Sequence, residues 1–566
     1  MNHPIIPIAA EGPSKERKRQ APKGRRVDPV ALSEVQALLG CSPRRRDLLI
    51  EHLHKIQDKF GYLSAAHLAA LAQEMKLAQT EVYEVATFYH HFDVIKEGGT
   101  PPPTVTVRVC DGLSCEMAGA RDLLSRLPEI LGKDVRVIAA PCIGRCEQAP
   151  AAVIGQNPVP HASCDAIAAK VRANELRHVS GEFIDYDRYQ ANGGYTILRE
   201  CISGERDVEA VIKTMESSGL RGLGGAGFPA GRKWRIVRAE TEPRLMAVNI
   251  DEGEPGTFKD RVYLERDPHR FLEGMLIAAW AVGIGTIYIY LRDEYHGCRA
   301  TLEAEIDKLS AVLPMYDVPE IILRRGAGAY ICGEESAMIE SIEGKRGMPR
   351  LRPPYVAQVG LFGRPTLEHN METLYWVRDI LEKGSEWFAS HGRHGRKGLR
   401  SFSVSGRVKH SGVHLAPAGI TIQELIDEYC GGMLDGHRFY GYLPGGASGG
   451  ILPASMNDIP LDFDTLQSYG CFIGSAAVIV LSDKDTAIGA ARNLMRFFKH
   501  ESCGQCTPCR VGTAKAVSII DQPKWDIEML ADLSAVMRDA SICGLGQAAP
   551  NPVDCVVKYF SHELGR

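Results

Sequence analysis

Three cysteines near the C-terminus lie so close together that they indicate metal binding. Cys503, Cys506 and Cys509 form a C-x2-C-x2-C motif, and Cys543 follows later in the segment SICGLG. Three closely spaced thiolates can hold three corners of a cubane while a distant cysteine holds the fourth, which is how a [4Fe–4S] cluster is bound. A structural zinc site more often has two paired cysteine knuckles. The spacing therefore favours iron–sulfur over zinc.

Two further cysteine pairs lie in the N-terminal third, each directly after a predicted strand. Four residues separate Cys110 from Cys115, and three separate Cys142 from Cys146. Four thiolates suit either zinc or a [2Fe–2S] cluster, and spacing alone decides little between them. The wider spacing of the first pair is less typical of a zinc ribbon. The pattern therefore favours a [2Fe–2S] cluster, and zinc remains the alternative.

A glycine-rich segment, GLRGLGGAGFPAGRKW, could approach a phosphate group. Within it Gly222, Gly224 and Gly227 match G-x-G-x-x-G. A dinucleotide fingerprint requires a strand immediately before these glycines, and the helical pattern RDVEAVIKTMESS stands there instead. Backbone N–H groups of such a loop can still bind phosphate, and Arg232 and Lys233 add positive charge.

Carboxylates follow a strand in one segment and begin a helix in another. The strand RLMAVNI leads into Asp251, Glu252 and Glu254. These side chains could accept hydrogen bonds from ribose or ribityl hydroxyls, or they could form a solvated loop. Glu334 and Glu335 start a predicted helix after a second glycine-rich loop, where the helix dipole favours carboxylates in any case. Both segments stay ambiguous on their own.

The elements that position these residues predict an α/β chain of several domains. At ~150 residues per domain, 566 residues suggest about four domains. Strands are predicted at TVTVRVC, DVRVIAA, RLMAVNI, TIYIYL and EIILRR, from their apolar and β-branched content. The predicted segments are a basic arm (1–30), a helical segment (31–100), a small α/β domain (101–178), a linker (179–195), a larger α/β domain (196–400), a domain of short strands (401–486) and a helical region (487–566).

Composition excludes several classes of protein. The chain is 45% hydrophobic and 24% charged with a net charge of −4, which is ordinary for a globular protein and gives no nucleic-acid footprint. No apolar stretch of signal-peptide length precedes the basic run KERKRQAPKGRR at residues 15–26. The 18 uncharged residues from Gly274 to Leu291 are interrupted by Gly283 and Gly285. They predict a helix, a glycine turn and a strand, so we expect no membrane insertion and a cytoplasmic location.

Long motifs of the chain resemble two subunits of respiratory complex I. The segments GLRGLGGAGFPAGRKW, NIDEGEPGTFKDR, GAGAYICGEESAMIESIEG, LRPPYVAQVGLFGRPTLEHNMETL and ESCGQCTPCRVG resemble the 51-kilodalton FMN- and NADH-binding subunit. The segments GYLSAAHLAAL, VYEVATFYHHF, CDGLSC and PCIGRC resemble the 24-kilodalton [2Fe–2S] subunit. The resemblance implies a thioredoxin-like [2Fe–2S] domain, a Rossmann-like FMN/NADH domain, a ubiquitin-like β-grasp domain and a C-terminal helical bundle with [4Fe–4S].

The resemblance also implies the residues that hold each cofactor. It assigns [2Fe–2S] to Cys110, Cys115, Cys142 and Cys146, and [4Fe–4S] to Cys503, Cys506, Cys509 and Cys543. The residues implied to contact FMN are Gly222, Gly224, Lys233, Asn249, Asp251, Glu252, Gly333, Glu334, Asn370 and Thr373. Those implied to lie at NADH are Phe228, Arg352 and Tyr355 together with Glu254 and Glu335, the two expected to act in catalysis.

The function implied is a diaphorase that exchanges hydride between NAD(H) and FMN and single electrons with a partner subunit. Fusion of both modules in one chain resembles the β subunit of soluble NAD-dependent formate dehydrogenases. The expected partner is therefore a large molybdopterin (molybdenum or tungsten) iron–sulfur subunit, in a heterodimer or higher assembly. The alternatives are the diaphorase of an NAD-reducing hydrogenase, a fused NADH-quinone oxidoreductase subunit and, more remotely, a zinc-stapled nucleotide-binding scaffold.

Overall fold

The N-terminal part is helical, as the sequence predicts. The computed structural model of the chain describes residues 25–178, 181–312 and 318–565, so the predicted basic arm lies outside it up to residue 24. Asp28 caps the first helix by accepting from the N–H groups of Val30 and Ala31. The elements are α1 (Pro29–Leu39), α2 (Leu49–Phe60), β1 (Leu63–Ser64), α3 (Ala65–Met75), α4 (Gln79–Phe88) and β2 (Val94–Ile95).

The small α/β domain has a four-stranded sheet. Its elements are β3 (Val105–Cys110), α5 (Leu113–Met117), α6 (Ala120–Leu131), β4 (Val135–Ala140), β5 (Ala152–Ile154), β6 (Asn157–Val159) and α7 (Cys164–Arg172). The strand order is β4-β3-β5-β6, with β3 and β4 parallel. Strands β3 and β4 and helix α6 confirm the predicted strand–helix–strand unit. The short hairpin of β5 and β6 has too few residues to show a period in the sequence.

The central domain contains a four-stranded parallel sheet. Its strands are β7 (Arg244–Ile250), β8 (Ile284–Leu291), β9 (Glu320–Arg325) and β10 (Thr366–Asn370), in the spatial order β10-β7-β8-β9. The first three confirm the predicted strands. The sequence pattern does not indicate β10, because its letters TLEHN are mostly polar and form no apolar run.

Helices connect these strands and extend beyond them. The helix Pro268–Val282 is capped by Gly283, whose φ of 72° allows the chain to turn into β8, and this confirms the predicted helix, glycine turn and strand. The described part of the predicted linker contains a helix, Tyr186–Ala191. Asp185 caps this helix by accepting from the Arg188 N–H. The helices are α8 (Tyr186–Ala191), α9 (Thr196–Ile202), α10 (Val208–Ser217), α11 (Ala230–Arg238), α12 (Lys259–Arg266), α13 (Pro268–Val282), α14 (His296–Val312), α15 (Glu335–Ile342), α16 (Met371–Tyr375), α17 (Val377–Lys383) and α18 (Ser385–Ala389).

The next domain is a five-stranded sheet with the β-grasp arrangement. Its elements are β11 (Leu399–Gly406), β12 (Gly412–Pro417), α19 (Ile422–Glu424), β13 (Phe439–Leu443), β14 (Leu452–Pro453) and β15 (Ala477–Ser482). The order is β12-β11-β15-β13-β14, so the first and last strands are parallel neighbours at the centre. Antiparallel partners flank them on both sides. This topology agrees with the β-grasp prediction.

The C-terminal region is helical, as predicted, and it surrounds the clustered cysteines. Its helices are α20 (Ala487–Glu501), α21 (Thr507–Ile520), α22 (Ile527–Ala540), α23 (Gly544–Ala548) and α24 (Asn551–Tyr559). Cys503 and Cys506 lie in the turn between α20 and α21, Cys509 lies in the first turn of α21, and Cys543 immediately precedes α23. Across the described parts of the chain, no helix combines the length and the apolar character needed to cross a membrane.

Candidate functional site

A cavity of about 390 Å³ lies at the carboxyl ends of β7 and β10. Ligands in open parallel sheets bind at this edge, because the loops that leave the strands diverge there. Two of the residues implied by the resemblance, Thr373 and Tyr355, do not line it. Those that do are Gly222, Gly224, Phe228, Lys233, Asn249, Asp251, Glu252, Glu254, Gly333, Glu334, Glu335, Arg352 and Asn370.

The glycine-rich loop forms one wall, and at two of its glycines the backbone lies too close to other residues for a side chain to fit. A Cβ on Gly224 would lie 2.9 Å from Cβ of Asn370. A Cβ on Gly227, which has φ of +66°, would lie 2.5 Å from Cδ1 of Phe463. Thr373 fixes the loop from behind by accepting from the Leu223 N–H at 2.9 Å. The loop follows helix α10, so the expectation that it is not a strand-borne dinucleotide fingerprint is confirmed.

Lys233 brings a positive charge to this wall from helix α11. Its Nζ donates to the carbonyl of Glu368 at 2.9 Å and lies 3.3 Å from that residue's Oε2. Burial raises the pKa of the nearby Glu335 carboxyl, and the Glu368 charge adds to the rise. Lys233 is thus an ammonium group among carboxylates, placed to bind an anionic ligand group at the cavity wall.

Asn249 and Asp251 lie where β7 ends. The Asn249 amide donates to the Gly333 carbonyl at 2.8 Å and its oxygen accepts from the Asp251 N–H at 3.1 Å. Oδ2 of Asp251 is buried and has no hydrogen-bond partner among the described residues. Burial raises the pKa of this carboxyl well above its ordinary value. A buried polar oxygen without a hydrogen-bond partner costs free energy. This oxygen is therefore suited to form a hydrogen bond with a hydroxyl or amide group of a ligand.

A buried charge cluster that sequence reasoning missed supports the cavity floor. Lys259 Nζ lies 2.7 Å from Asp260 Oδ1 and 3.0 Å from Glu372 Oε2. Burial alone would lower the pKa of Lys259, but these two carboxylates raise it above its ordinary value. The Asn370 amide donates to Asp260 Oδ2 at 2.6 Å, which fixes Asn370 against the floor. The letters KD within the motif NIDEGEPGTFKDR were the only signal for this cluster.

Glu254 is held rigidly on the far side of the cavity. Its carboxylate accepts from the Tyr330 hydroxyl and from the N–H and Oγ of Ser448, the last two at 2.7 Å. Burial raises the pKa of the Glu254 carboxyl, and these hydrogen bonds oppose the rise. Tyr330 and Ser448 also line the cavity and were not predicted.

The start of helix α15 presents a second pair of carboxylates. Glu334 caps the helix by accepting from the N–H groups of Ser336 and Ala337, at 3.0 and 2.9 Å. Arg352 contacts Glu334 and lies 2.8 Å from Glu335. Tyr355, by contrast, is 56% exposed and outside the cavity wall, so its predicted contact with NADH stays a prediction.

The four C-terminal cysteines converge beside the same cavity. Burial raises the pKa of Cys509 to about 11 and that of Cys543 to about 12, and the charges of neighbouring thiols add to both. Gly544, Leu545 and Ala548, on the helix that begins directly after Cys543, form part of the cavity wall. The thiol cluster and the cavity therefore share one wall.

The four N-terminal cysteines are all buried, and each contacts at least one other member of the set. Sγ of Cys142 lies 3.3 Å from Sγ of Cys146. Hydrogen bonds with Cys110 and Cys146 lower the pKa of Cys142 well below its ordinary value. Hydrogen bonds with Cys115 and Cys142 raise the pKa of Cys110, and the hydrogen bond with Cys142 raises that of Cys146. These contacts bring the thiols of the predicted [2Fe–2S] site together in the buried interior.

A network of buried side chains connects this cysteine loop to the cavity. Arg292 donates to the Cys142 carbonyl at 2.6 Å and also to the Glu252 carbonyl. The Tyr295 hydroxyl donates to Glu252 Oε2 at 2.7 Å. Burial raises the pKa of Glu252 to about 7, and the charge of Asp260 contributes. The cavity and the N-terminal cysteine set are therefore fixed relative to each other.

These residues fit the cofactors that the resemblance implies. The glycine backbone, the Lys233 charge and the unpartnered Asp251 oxygen match a phosphate-bearing ligand rich in hydroxyl groups such as FMN. Each set of four convergent thiols matches the ligand requirement of an iron–sulfur cluster.

Comparisons with known families cover most of the chain. The family described as thioredoxin-like [2Fe-2S] ferredoxin matches residues 35–174. The Nuo51 FMN-binding domain matches residues 215–379, and the NADH-ubiquinone oxidoreductase-F iron-sulfur binding region matches residues 489–566. These matches identify a [2Fe–2S] domain, an FMN-binding domain and a [4Fe–4S] region, in the order predicted.

Individual relatives extend this result. The NADH-quinone oxidoreductase F 2 subunit of Rhizobium meliloti (strain 1021) is 39% identical over 390 residues, which are 66% of this chain and 92% of the relative. The mitochondrial NADH dehydrogenase [ubiquinone] flavoprotein 1 of Dictyostelium discoideum is 42% identical over 373 residues, 62% of this chain and 78% of the relative.

A solved structure matches over nearly the full length. It is a chain of an NAD+-reducing [NiFe]-hydrogenase in the H2-reduced state, with a TM-score of 0.81, 33% identity and coverage of 92% of both chains. The chain therefore belongs to the family of NADH-binding flavin and iron–sulfur subunits typified by those of NADH-quinone oxidoreductase, and it carries the thioredoxin-like [2Fe–2S] domain on the same polypeptide.

Proposed function

We propose that this chain is the diaphorase of a larger oxidoreductase, in which NAD(H) and FMN exchange hydride and the clusters relay single electrons to or from a partner. The observation that carries this proposal is the shared wall between the cavity and Cys543, formed by Gly544, Leu545 and Ala548. FMN, when bound, supplies chemistry that can accept two electrons together and release them singly.

The chain's own residues bind and orient in this proposal. Lys233 and the glycine loop hold the phosphate of FMN, and Asp251 accepts from one of its hydroxyl or ring donors. Glu254 and Glu335 lie on the NADH side, where they accept hydrogen bonds from the dinucleotide. The bonds from Tyr330 and Ser448 fix the Glu254 carboxylate, so it needs little reorganisation when the dinucleotide binds.

For the partner, we propose a large molybdopterin iron–sulfur subunit that oxidises formate, in a heterodimer or higher assembly. The fused arrangement of the [2Fe–2S] and flavin modules, which resembles the formate dehydrogenase β subunit, supports this proposal. A second candidate is a nickel–iron partner that oxidises hydrogen. The match over 92% of a chain of an NAD+-reducing [NiFe]-hydrogenase favours it. A quinone-reducing partner is the third candidate, in line with the NADH-quinone oxidoreductase relatives.

Metal analysis of the purified complex separates these partners. Molybdenum or tungsten with formate-dependent NAD+ reduction would support the first candidate, and nickel with hydrogen-dependent reduction would support the second. A complex that contains none of these metals and reduces a quinone would point to the third.

We expect about six iron atoms and one FMN per chain, with little zinc, in protein purified with a chelator. The count follows from one [2Fe–2S] and one [4Fe–4S] cluster on eight convergent cysteines. Elemental analysis and flavin extraction check it. Two zinc atoms without iron would instead support the zinc-stapled scaffold.

The isolated chain is expected to reduce an artificial electron acceptor with NADH but to show no formate or hydrogen activity. The reason is that the flavin cavity belongs to this chain alone, whereas the second substrate is bound by the partner. Steady-state assays with and without the co-purified large subunit check this. Formate or hydrogen turnover by the chain alone would contradict it.

A further inference from the structure

Two histidines from distant parts of the sequence meet on the surface near the [4Fe–4S] region. His90 follows the end of α4, and His500 lies in the last turn of α20. Their rings stack with centroids 4.2 Å apart and an interplanar angle of 28°. Both side chains are exposed, so water and ions reach them.

Glu501 adds a buried carboxylate to this pair. Its Oε1 lies 3.1 Å from Nδ1 of His500, and its Oε2 accepts from the Tyr330 N–H at 3.0 Å. One ligand atom from each of His90, His500 and Glu501 lies within 4.8 Å of the other two. The backbone donor orients the carboxylate, as groups behind a metal ligand commonly do.

Within the described residues, neither ring nitrogen of His90 forms a hydrogen bond. The adjacent His91, in contrast, is hydrogen-bonded to Asp293 at 2.7 Å. Ring stacking alone would explain the contact between the two imidazoles. It does not explain why the buried carboxylate of Glu501 points towards them. The convergence of three ligand atoms does fit a cation.

We propose that His90, His500 and Glu501 bind a divalent cation of the zinc type. Two imidazoles and one carboxylate form a ligand set that Zn²⁺ accepts, with water in the fourth position. Ligand atoms around a tetrahedral zinc at about 2.0–2.1 Å lie roughly 3.3 Å apart, and exposed rings can rotate to close the remaining gap. Because the site is open to solvent, a chelator removes the ion.

The ion would join two segments directly, and a third segment, the loop before Tyr330, is hydrogen-bonded to both of them. His90 is already connected to the loop before Tyr330, because its N–H donates to the Gly328 carbonyl at 3.2 Å. Glu501 reaches Tyr330 itself, and His500 belongs to the helix that leads to Cys503. Occupancy therefore fixes the N-terminal helical segment against both the cavity wall and the cluster region.

The test uses the full chain with its iron and FMN content verified, dialysed against micromolar zinc chloride. We expect one zinc per chain that the double variant His90→Ala/His500→Ala does not bind. The X-ray absorption fine structure of this zinc should show only nitrogen and oxygen neighbours at about 2.0–2.1 Å, without the sulfur at about 2.3 Å that cysteine ligands would give.

Two further variants sharpen the result. His394→Ala removes an exposed histidine outside the proposed site, whose Nε2 lies 3.2 Å from the Glu424 carboxylate, and should keep the zinc. Glu501→Gln keeps an oxygen for the Tyr330 N–H but loses the charge, and should bind zinc more weakly. Equal zinc in wild type and the double variant, or a sulfur shell, would overturn the proposal.

Discussion

The variant Lys233→Ala is expected to lose FMN and, with it, the NADH-dependent reduction of an artificial acceptor. Its Nζ is the cationic donor on the glycine-loop wall. Hydrogen bonds to charged groups are worth about 1.5–3 kcal/mol, so FMN should bind roughly 10- to 150-fold more weakly. The Glu368 carboxylate, left without its ammonium partner, would repel the flavin phosphate further.

Flavin content per chain and the affinity for added FMN measure this effect. Lys213→Ala is the matched control, because Lys213 is an exposed lysine on the neighbouring helix α10 and does not line the cavity. The control should keep its flavin and its rate. If Lys233→Ala also keeps full FMN occupancy and rate, the flavin phosphate is bound elsewhere.

The variant Cys506→Ala is expected to abolish electron exchange between NAD(H) and the partner subunit, whereas Cys142→Ala should reduce it only in part. Cys506 belongs to the thiol set that shares a wall with the flavin cavity. Cys142 belongs to the separate small domain, which we propose serves as a side acceptor. Some direct NADH oxidation should survive in Cys506→Ala, because the cavity itself is intact.

Assays of the complete complex decide between the two roles, with formate and NAD+ as the first substrates tried. Cys41→Ala, which removes an exposed cysteine from neither cluster set, should leave turnover unchanged. If Cys142→Ala stops turnover as completely as Cys506→Ala while FMN and cubane iron stay normal, the side-acceptor role is wrong. The small domain would then lie on the main path.

The sequence predicts best the features that depend on local spacing. Strands β3, β4, β7, β8 and β9 each follow from an apolar or alternating run, and the two cysteine sets follow from short intervals. The structure brings thirteen of the fifteen residues implied for FMN and NADH to a single cavity. Their convergence could not be read from the residues alone, since it depends on how separate segments of the chain meet at one edge of the sheet.

Residues that act through long-range contacts were harder to predict. The position of Thr373 behind the glycine loop depends on a hydrogen bond across 150 residues of sequence. Lys259 and Asp260 look like ordinary surface charges, yet both are 1% exposed, because Glu372 arrives from another element. Strand β10 was missed for a related reason, since pairing with β7 and not its own composition makes it a strand.

Because the [2Fe–2S] domain and the central domain lie on one chain, their interface needs less affinity to keep them docked than an interface between separate proteins would need. Arg261 and Arg292 join the two domains by donating to the carbonyls of Gly144 and Cys142, at 2.9 and 2.6 Å. If the domains were separate proteins, the docked fraction would fall as the protein concentration fell. For tethered domains the effective concentration is on the order of millimolar, whatever the amount of protein present. Weakening either arginine would therefore shift the ratio of docked to undocked domains within each molecule, and the two clusters would remain in a one-to-one ratio.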